Sequence, residues 1–128
     1  AYRVRTEPVS RAIAGLSMGG GQTQRVLAAH PEAFAYVAIW SAGVRPEGTE
    51  AFEEYAAAFL SEPKKANEAI RLLSIRVGEK DFALPDSRNL SELFTKHGIE
   101  HTLEVNEGGH TWLNWRLYLS ELLPRLFR

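Results

Sequence analysis

The sequence predicts an α/β fold in which a parallel sheet of about four strands is flanked by helices. Two observations predict it. Short apolar runs closed by glycine recur along the chain, and stretches rich in helix formers separate one run from the next. Alternation of this kind implies strands joined by right-handed crossovers, with the sheet covered on both faces.

The elements follow in order. Arg11 to Leu16 is a small-residue apolar run after Pro8, and its strand is placed at about Ala12 to Ala14. Beyond Gly19-Gly20-Gly21, Gln22 to His30 is helical in composition and Pro31 stops it. Phe34 to Trp40 is continuously apolar with β-branched and aromatic residues, as a strand buried on both faces requires. Glu50 to Leu60 and Lys64 to Ile70 read as helices separated by Pro63, and Leu72 to Val77 is a third strand ending at Gly78. Ser87 to His97 places Leu90, Leu93 and Phe94 on one helical face, with Gly98 just beyond in the position that favours glycine. His101 to Asn106 alternates as a strand, and Thr111 to Phe127 is an amphipathic helix carrying Trp112, Trp115, Leu119 and Leu122.

With 128 residues, 45% of them hydrophobic, the chain can bury one modest core, so residues 1–128 form a single domain. The net charge of −1 and the mixed signs of the charged residues supply neither a basic field for nucleic acid nor a polybasic membrane anchor. A small, weakly charged substrate suits this surface better. The absence of cysteine excludes disulfides and thiolate chemistry. It leaves the compartment open between secreted and cytoplasmic, secretion being slightly favoured. No apolar run approaches the roughly 20 residues of a membrane span. The chain opens at Ala1 with no initiator Met and no leader pattern, so we expect a leader or a larger N-terminal part to precede it. The four histidines form no H-x-x-x-H pair and the acids no oxygen cage, so neither metal nor cofactor is expected.

Gly15-Leu16-Ser17-Met18-Gly19 fits G-x-S-x-G and lies between a predicted strand and a predicted helix, where that pattern carries mechanical meaning. A tight strand-to-helix turn lifts the Ser17 hydroxyl out of the sheet in a strained backbone, and glycines on both sides are expected because a Cβ there would clash. The Met18 N–H, at a helix N-terminus, faces the space where an oxyanion would develop. The same five residues also describe a glycine-rich turn with a serine helix cap. What separates the two readings is the rest of the constellation, because a serine hydroxyl is a weak nucleophile that needs a base, and the base needs an orienting acid.

His110 supplies that base. It sits in Glu107-Gly108-Gly109-His110-Thr111-Trp112, a glycine-built loop between the last strand and the last helix. His30, His97 and His101 lack such a loop and read as surface residues. Asp81, in Val77-Gly78-Glu79-Lys80-Asp81-Phe82, follows the third strand at the edge where ligands gather in open parallel sheets. Asp86 and Glu79 are its competitors, the latter too early in the turn. Trp112, beside His110, is a candidate pocket residue, whereas Trp40 and Trp115 read as core. Gln22, one turn into the first helix, is a candidate approach to the site, with an ordinary surface glutamine as the alternative.

Three blocks resemble a known family: residues 12–23 around the serine, Gly78-Glu79-Lys80-Asp81-Phe82 at the acid and Gly108-Gly109-His110-Thr111-Trp112 at the histidine. They are similar to the esterase group of the α/β-hydrolases that includes esterase D, S-formylglutathione hydrolases, tributyrin-type and enterochelin esterases, and the feruloyl and acetyl-xylan esterases. His30 to Ser41 also resembles the segment after the serine in that group, and the feruloyl or xylan esterase branch is nearest in flavour. The resemblance implies a serine carboxylic ester hydrolase in which Ser17 forms an acyl-enzyme, His110 carries the proton, Asp81 fixes the imidazole tautomer and the Met18 N–H is one oxyanion donor. It further implies that this chain is the C-terminal half of the fold.

Two consequences follow from that half. The loop bearing the second oxyanion N–H is expected outside the chain, and loss of one such donor lowers rates by about a hundred- to a thousandfold. The first strand is expected at an open sheet edge, to be completed by the missing N-terminal segment or a second copy. The alternatives to a polysaccharide-directed esterase are a short-chain ester or thioester hydrolase of metabolism and a non-catalytic relative that keeps the motif.

Overall fold

The computed structural model describes residues 2–128 and contains one four-stranded parallel sheet in the order β1-β2-β3-β4. The strands are β1 (Ala12–Leu16), β2 (Tyr36–Trp40), β3 (Leu72–Gly78) and β4 (Thr102–Asn106). Six α-helices join and follow them: α1 (Met18–Ala29), α2 (Thr49–Tyr55), α3 (Ala57–Leu60), α4 (Pro63–Ala69), α5 (Leu84–Lys96) and α6 (Trp112–Leu122). No helix among the described residues is long and apolar enough to cross a membrane.

Strands laid down in sequence order by crossovers of one hand put every crossover helix on the same face. The core divides accordingly. On one face, Leu27 of α1, Phe59 and Leu60 of α3, Ala66 of α4 and Leu90, Leu93 and Phe94 of α5 pack against Val37, Ile39, Leu73 and Ile75 of the sheet. The other face falls to α6, whose Trp115, Tyr118 and Leu122 meet Ala38 and Trp40. Both faces of β2 are therefore filled, which is why its five residues are all buried and its sequence shows no polar alternation.

The elements are those expected, with differences at several ends: β1 runs on to Leu16, and α5 starts at Leu84, ahead of the expected Ser87. α1 begins at Met18, four residues before Gln22, so the glycine cluster lies inside the helix. Its close packing explains this, since a Cβ on Gly20 would stand 2.6 Å from the Ala42 Cβ. The first helical stretch after β2 breaks at Ala56 into α2 and α3, and α6 ends at Leu122 before a 3-10 turn over Leu123–Arg125 that contains Pro124. The sheet is covered unequally, and β1 has a neighbour on one side only, leaving its other edge free among the described residues.

β3 carries Arg76 within its apolar run, almost wholly buried. Its guanidinium pairs with Glu121 of α6, lies 3.4 Å from Glu104 and 3.2 Å from the Asn106 Oδ1 of β4, and stacks 4.4 Å over the Tyr118 ring. One buried cation thus ties α6 to the last two strands. Burial pushes the Tyr118 phenol above its ordinary range.

Candidate active site

In a parallel sheet every strand ends on the same edge, and the chain uses that edge three times. Ser17 follows β1, Asp81 lies three residues past β3 and His110 four residues past β4. Their side chains meet: Ser17 Oγ is 2.9 Å from His110 Nε2, and His110 Nδ1 is 2.9 Å from Asp81 Oδ1. A carboxylate only accepts, so Nδ1 carries the ring proton, and Nε2 presents a lone pair to the serine hydroxyl.

Local backbone chemistry sets each of the three. Ser17 has φ 53° and ψ −122°, a strained conformation for a side-chain-bearing residue, and it is held there by its N–H donating to the Trp40 carbonyl at 2.9 Å. Gly15 is required: a Cβ would lie 2.1 Å from the Gly19 carbonyl oxygen. Gly19 is not required in that sense. A Cβ there meets nothing within 4 Å, so the expectation of a clash on both sides of the serine is corrected to Gly15 and Gly20.

The acid and histidine loops are sewn together. The Lys80 N–H donates to the Gly108 carbonyl at 2.9 Å and the Glu79 N–H to the Asn106 carbonyl at 2.7 Å. Gly78 lies directly beneath, where a Cβ would stand 2.4 Å from the Gly108 oxygen. The Asp81 carboxylate is fully buried, and its Oδ1 also accepts the Ala83 N–H at 2.8 Å. Oδ2 has no donor among the described residues.

Two rings grip the imidazole. Phe82 lies 4.3 Å from it at a tilt of 32°, and Trp115 meets it edge-on at 5.0 Å. Trp115 is itself anchored by its indole N–H, which donates to Ser41 Oγ at 2.9 Å. Neither ring was singled out from the sequence as a neighbour of the histidine. Phe82 adjoins the acid in the quoted motif, which is the only signal that pointed to it. Trp112 is 69% exposed and packs on Trp115 at 5.2 Å, one ring removed from the imidazole.

The remaining candidates fall as follows. The Met18 N–H opens α1 and has no acceptor among the described residues, while the Met18 side chain projects outward. Gln22 is exposed and its side chain makes no hydrogen bond among the described residues, so the glutamine that reaches inward is Gln24, which donates to the Gly43 carbonyl at 2.9 Å. Asp86 stands in the first turn of α5, bonded to no histidine, with burial raising its carboxyl above the ordinary range. His101 bonds Ser91 and His97 bonds Glu53, and neither bonds Ser17 or Asp81. No group of three or more His, Cys, Asp or Glu among the described residues could hold a metal.

The arrangement can abstract a proton from a hydroxyl, hold the resulting imidazolium against a carboxylate and return the proton to a leaving group. The chain is 28% identical, over 99% of its length, to an endo-1,4-beta-xylanase/feruloyl esterase from Xylanibacter ruminicola, of which it spans 16%. It superimposes on a ferulic acid esterase structure with a TM-score of 0.79 and 27% identity, covering 97% of this chain and 53% of that one. The fold, though not the sequence, is shared at 18% identity and a TM-score of 0.79 with S-formylglutathione hydrolase FrmB of Staphylococcus aureus, covering 99% of this chain and 55% of that one. The chain thus spans a small part of the curated relative and about half of each of these α/β-hydrolase structures. The family model described as "Putative esterase" matches residues 1–126, nearly the whole length, and the chain accordingly belongs to that esterase family.

Proposed function

We propose that the protein hydrolyses carboxylic esters through an acyl-enzyme on Ser17. The observation that carries this reading is the unbroken line of two 2.9 Å hydrogen bonds from Ser17 through His110 to the buried Asp81. Ser17 Oγ attacks the ester carbonyl while His110 Nε2 takes its proton, and the imidazolium is stabilised by the Asp81 carboxylate. The Met18 N–H donates to the carbonyl oxygen as it gains charge. Collapse expels the alcohol, which receives the proton from Nε2, and a water activated by the same nitrogen then frees the acid.

Feruloyl or acetyl esters of plant polysaccharide are the proposed substrates. Support comes from the two relatives at 27–28% identity whose names specify feruloyl or ferulic acid esterase. We also infer that a strand from a preceding segment or a second copy pairs along the free edge of β1 and brings the second oxyanion donor. That edge is unpaired among the described residues, and the matched structures are about twice as long.

Intact-mass spectrometry after incubation with a fluorophosphonate tests the mechanism, with Ser17→Ala as control. A single adduct that Ser17→Ala abolishes is the expected result; no adduct, on this chain or on a longer polypeptide containing it, overturns the esterase reading. Labelling of residues 1–128 alone at the rate of the longer polypeptide would instead remove the need for a completing strand.

A further inference from the structure

The loop that carries His110 contains two glycines, and glycine is the residue with most freedom to lose. The Lys80 N–H holds it from the acid loop at Gly108, and a side chain that touches neither the serine nor the imidazole holds it from α6. Asn114, buried in the first turn of α6, donates from Nδ2 to the Glu107 carbonyl at 2.8 Å and accepts the Thr111 hydroxyl on Oδ1 at 3.0 Å. Gly108, at φ +98°, is seated on the same amide, where a Cβ would stand 2.5 Å from Oδ1.

The placement is unusual for its position. Thr111 is the N-cap of α6 and Asn114 stands three residues on, where a side chain commonly reaches back to cap its own helix. Here no side chain caps the helix, and the amide is turned outward to the loop instead. Residues 108–110 are thereby held at both ends, at Glu107 and Thr111, in addition to the Lys80 N–H bond to the Gly108 carbonyl. Asn114 also donates to the Tyr118 hydroxyl at 3.3 Å, and Tyr118 lies under Arg76, so the clamp is referred back to β3 and α6.

We propose that Asn114 is a positioning residue that holds the His110 loop where Nε2 reaches the Ser17 hydroxyl. The proposal rests on the esterase reading above. Its decisive bond is the one to Glu107, because an amide N–H is the only donor offered to that carbonyl among the side chains described. Asn114→Leu removes all three bonds while keeping the branched shape of the side chain. Asn114→Asp keeps an acceptor for Thr111 but turns a carboxylate oxygen toward the Glu107 carbonyl, so it does not rescue. Thr111→Val removes one bond only and has the smaller effect.

The test measures p-nitrophenyl acetate hydrolysis and the second-order rate of fluorophosphonate labelling of Ser17 in the native full-length protein, with kcat counted per titratable site. A displacement near 1 Å lowers rates by about a hundredfold, so Asn114→Leu and Asn114→Asp are expected to lower kcat and labelling on the order of ten- to a hundredfold. KM changes little, because the substrate is not touched. Leu122→Ala, a truncation of a buried residue on the same helix, controls for stability: it lowers the melting temperature without that loss of rate per site. Asn114 variants that label and turn over like the unsubstituted protein overturn the clamp and leave the esterase reading standing, as does a Leu122→Ala protein that loses rate per site equally. An unsubstituted protein that does not label overturns both.

Discussion

Gly15→Ala and Gly19→Ala separate two glycines that the motif treats alike. The added methyl at position 15 would lie 2.1 Å from the Gly19 oxygen and 2.5 Å from Thr23 Oγ1, whereas ordinary contact begins near 3.4 Å. The Gly19 carbonyl must therefore retreat by 3.4 − 2.1 = 1.3 Å, and Ser17 lies on the backbone between the two. Overpacking of this kind costs about 1–3 kcal/mol. At roughly 3–5 °C per kcal/mol for a domain of this size, the melting temperature falls by roughly 3–15 °C. A shift near 1 Å at the nucleophile lowers its reaction by about a hundredfold. At position 19 the methyl meets nothing and the residue is helical without a positive φ, so alanine stabilises by about 0.5–1 kcal/mol. The assay is thermal unfolding by circular dichroism together with the fluorophosphonate labelling rate. Opposite signs in melting temperature are expected, with labelling lost only in Gly15→Ala. Equal losses in both variants, or a Gly15→Ala protein that labels at the parent rate, refute the reasoning.

Asp81→Asn keeps the shape of the acid but offers the imidazole no anion, and kcat/KM for a p-nitrophenyl ester should fall on the order of 10⁴-fold with the fold retained. Trp115→Phe removes the donor to Ser41 Oγ and leaves a buried hydroxyl with one partner fewer, a loss of about 1–3 kcal/mol readable in urea unfolding. Hydrogen bonds from Lys96 and then His97 hold the Glu53 carboxyl below its ordinary value. A lowered carboxyl stabilises the fold above its unfolded-state value and ceases to do so as pH falls through the folded one. Urea midpoints of the parent and Glu53→Gln should therefore differ at neutral pH and converge on acidification; a difference that persists in acid contradicts the assignment.

The strands were legible because apolar runs closed by glycine admit few other readings, and β2 in particular had no polar face to hide. The start of α1 was not. Read locally, three consecutive glycines break a helix; Ala42 packs so closely on Gly20 that only glycine fits there, a contact the local sequence does not announce. Arg76 illustrates the same limit: within Leu72 to Val77 it is an anomaly, and its partners arrive from β4 and α6, which no local pattern announces. At the candidate site, the meeting of Ser17, Asp81 and His110 was legible because each sits in its own motif at a strand end. Phe82 closes the acid motif but acts on a ring from another loop, while Trp115 beside the imidazole and Asn114 behind its loop act across elements and carry no motif of their own.

The backbone of Ser17 has a consequence for how such a chain changes over time. Dihedrals of φ 53° and ψ −122° are comfortable for glycine alone, and holding serine there costs about 1–3 kcal/mol. Selection for folding by itself would favour glycine at this position, and drift in a lineage released from catalysis would run toward it. A domain that stands only a few kcal/mol above unfolding keeps such a serine while something rewards the hydroxyl. Under the proposed acyl-enzyme mechanism, position 17 is then a gauge of use, read in a single residue.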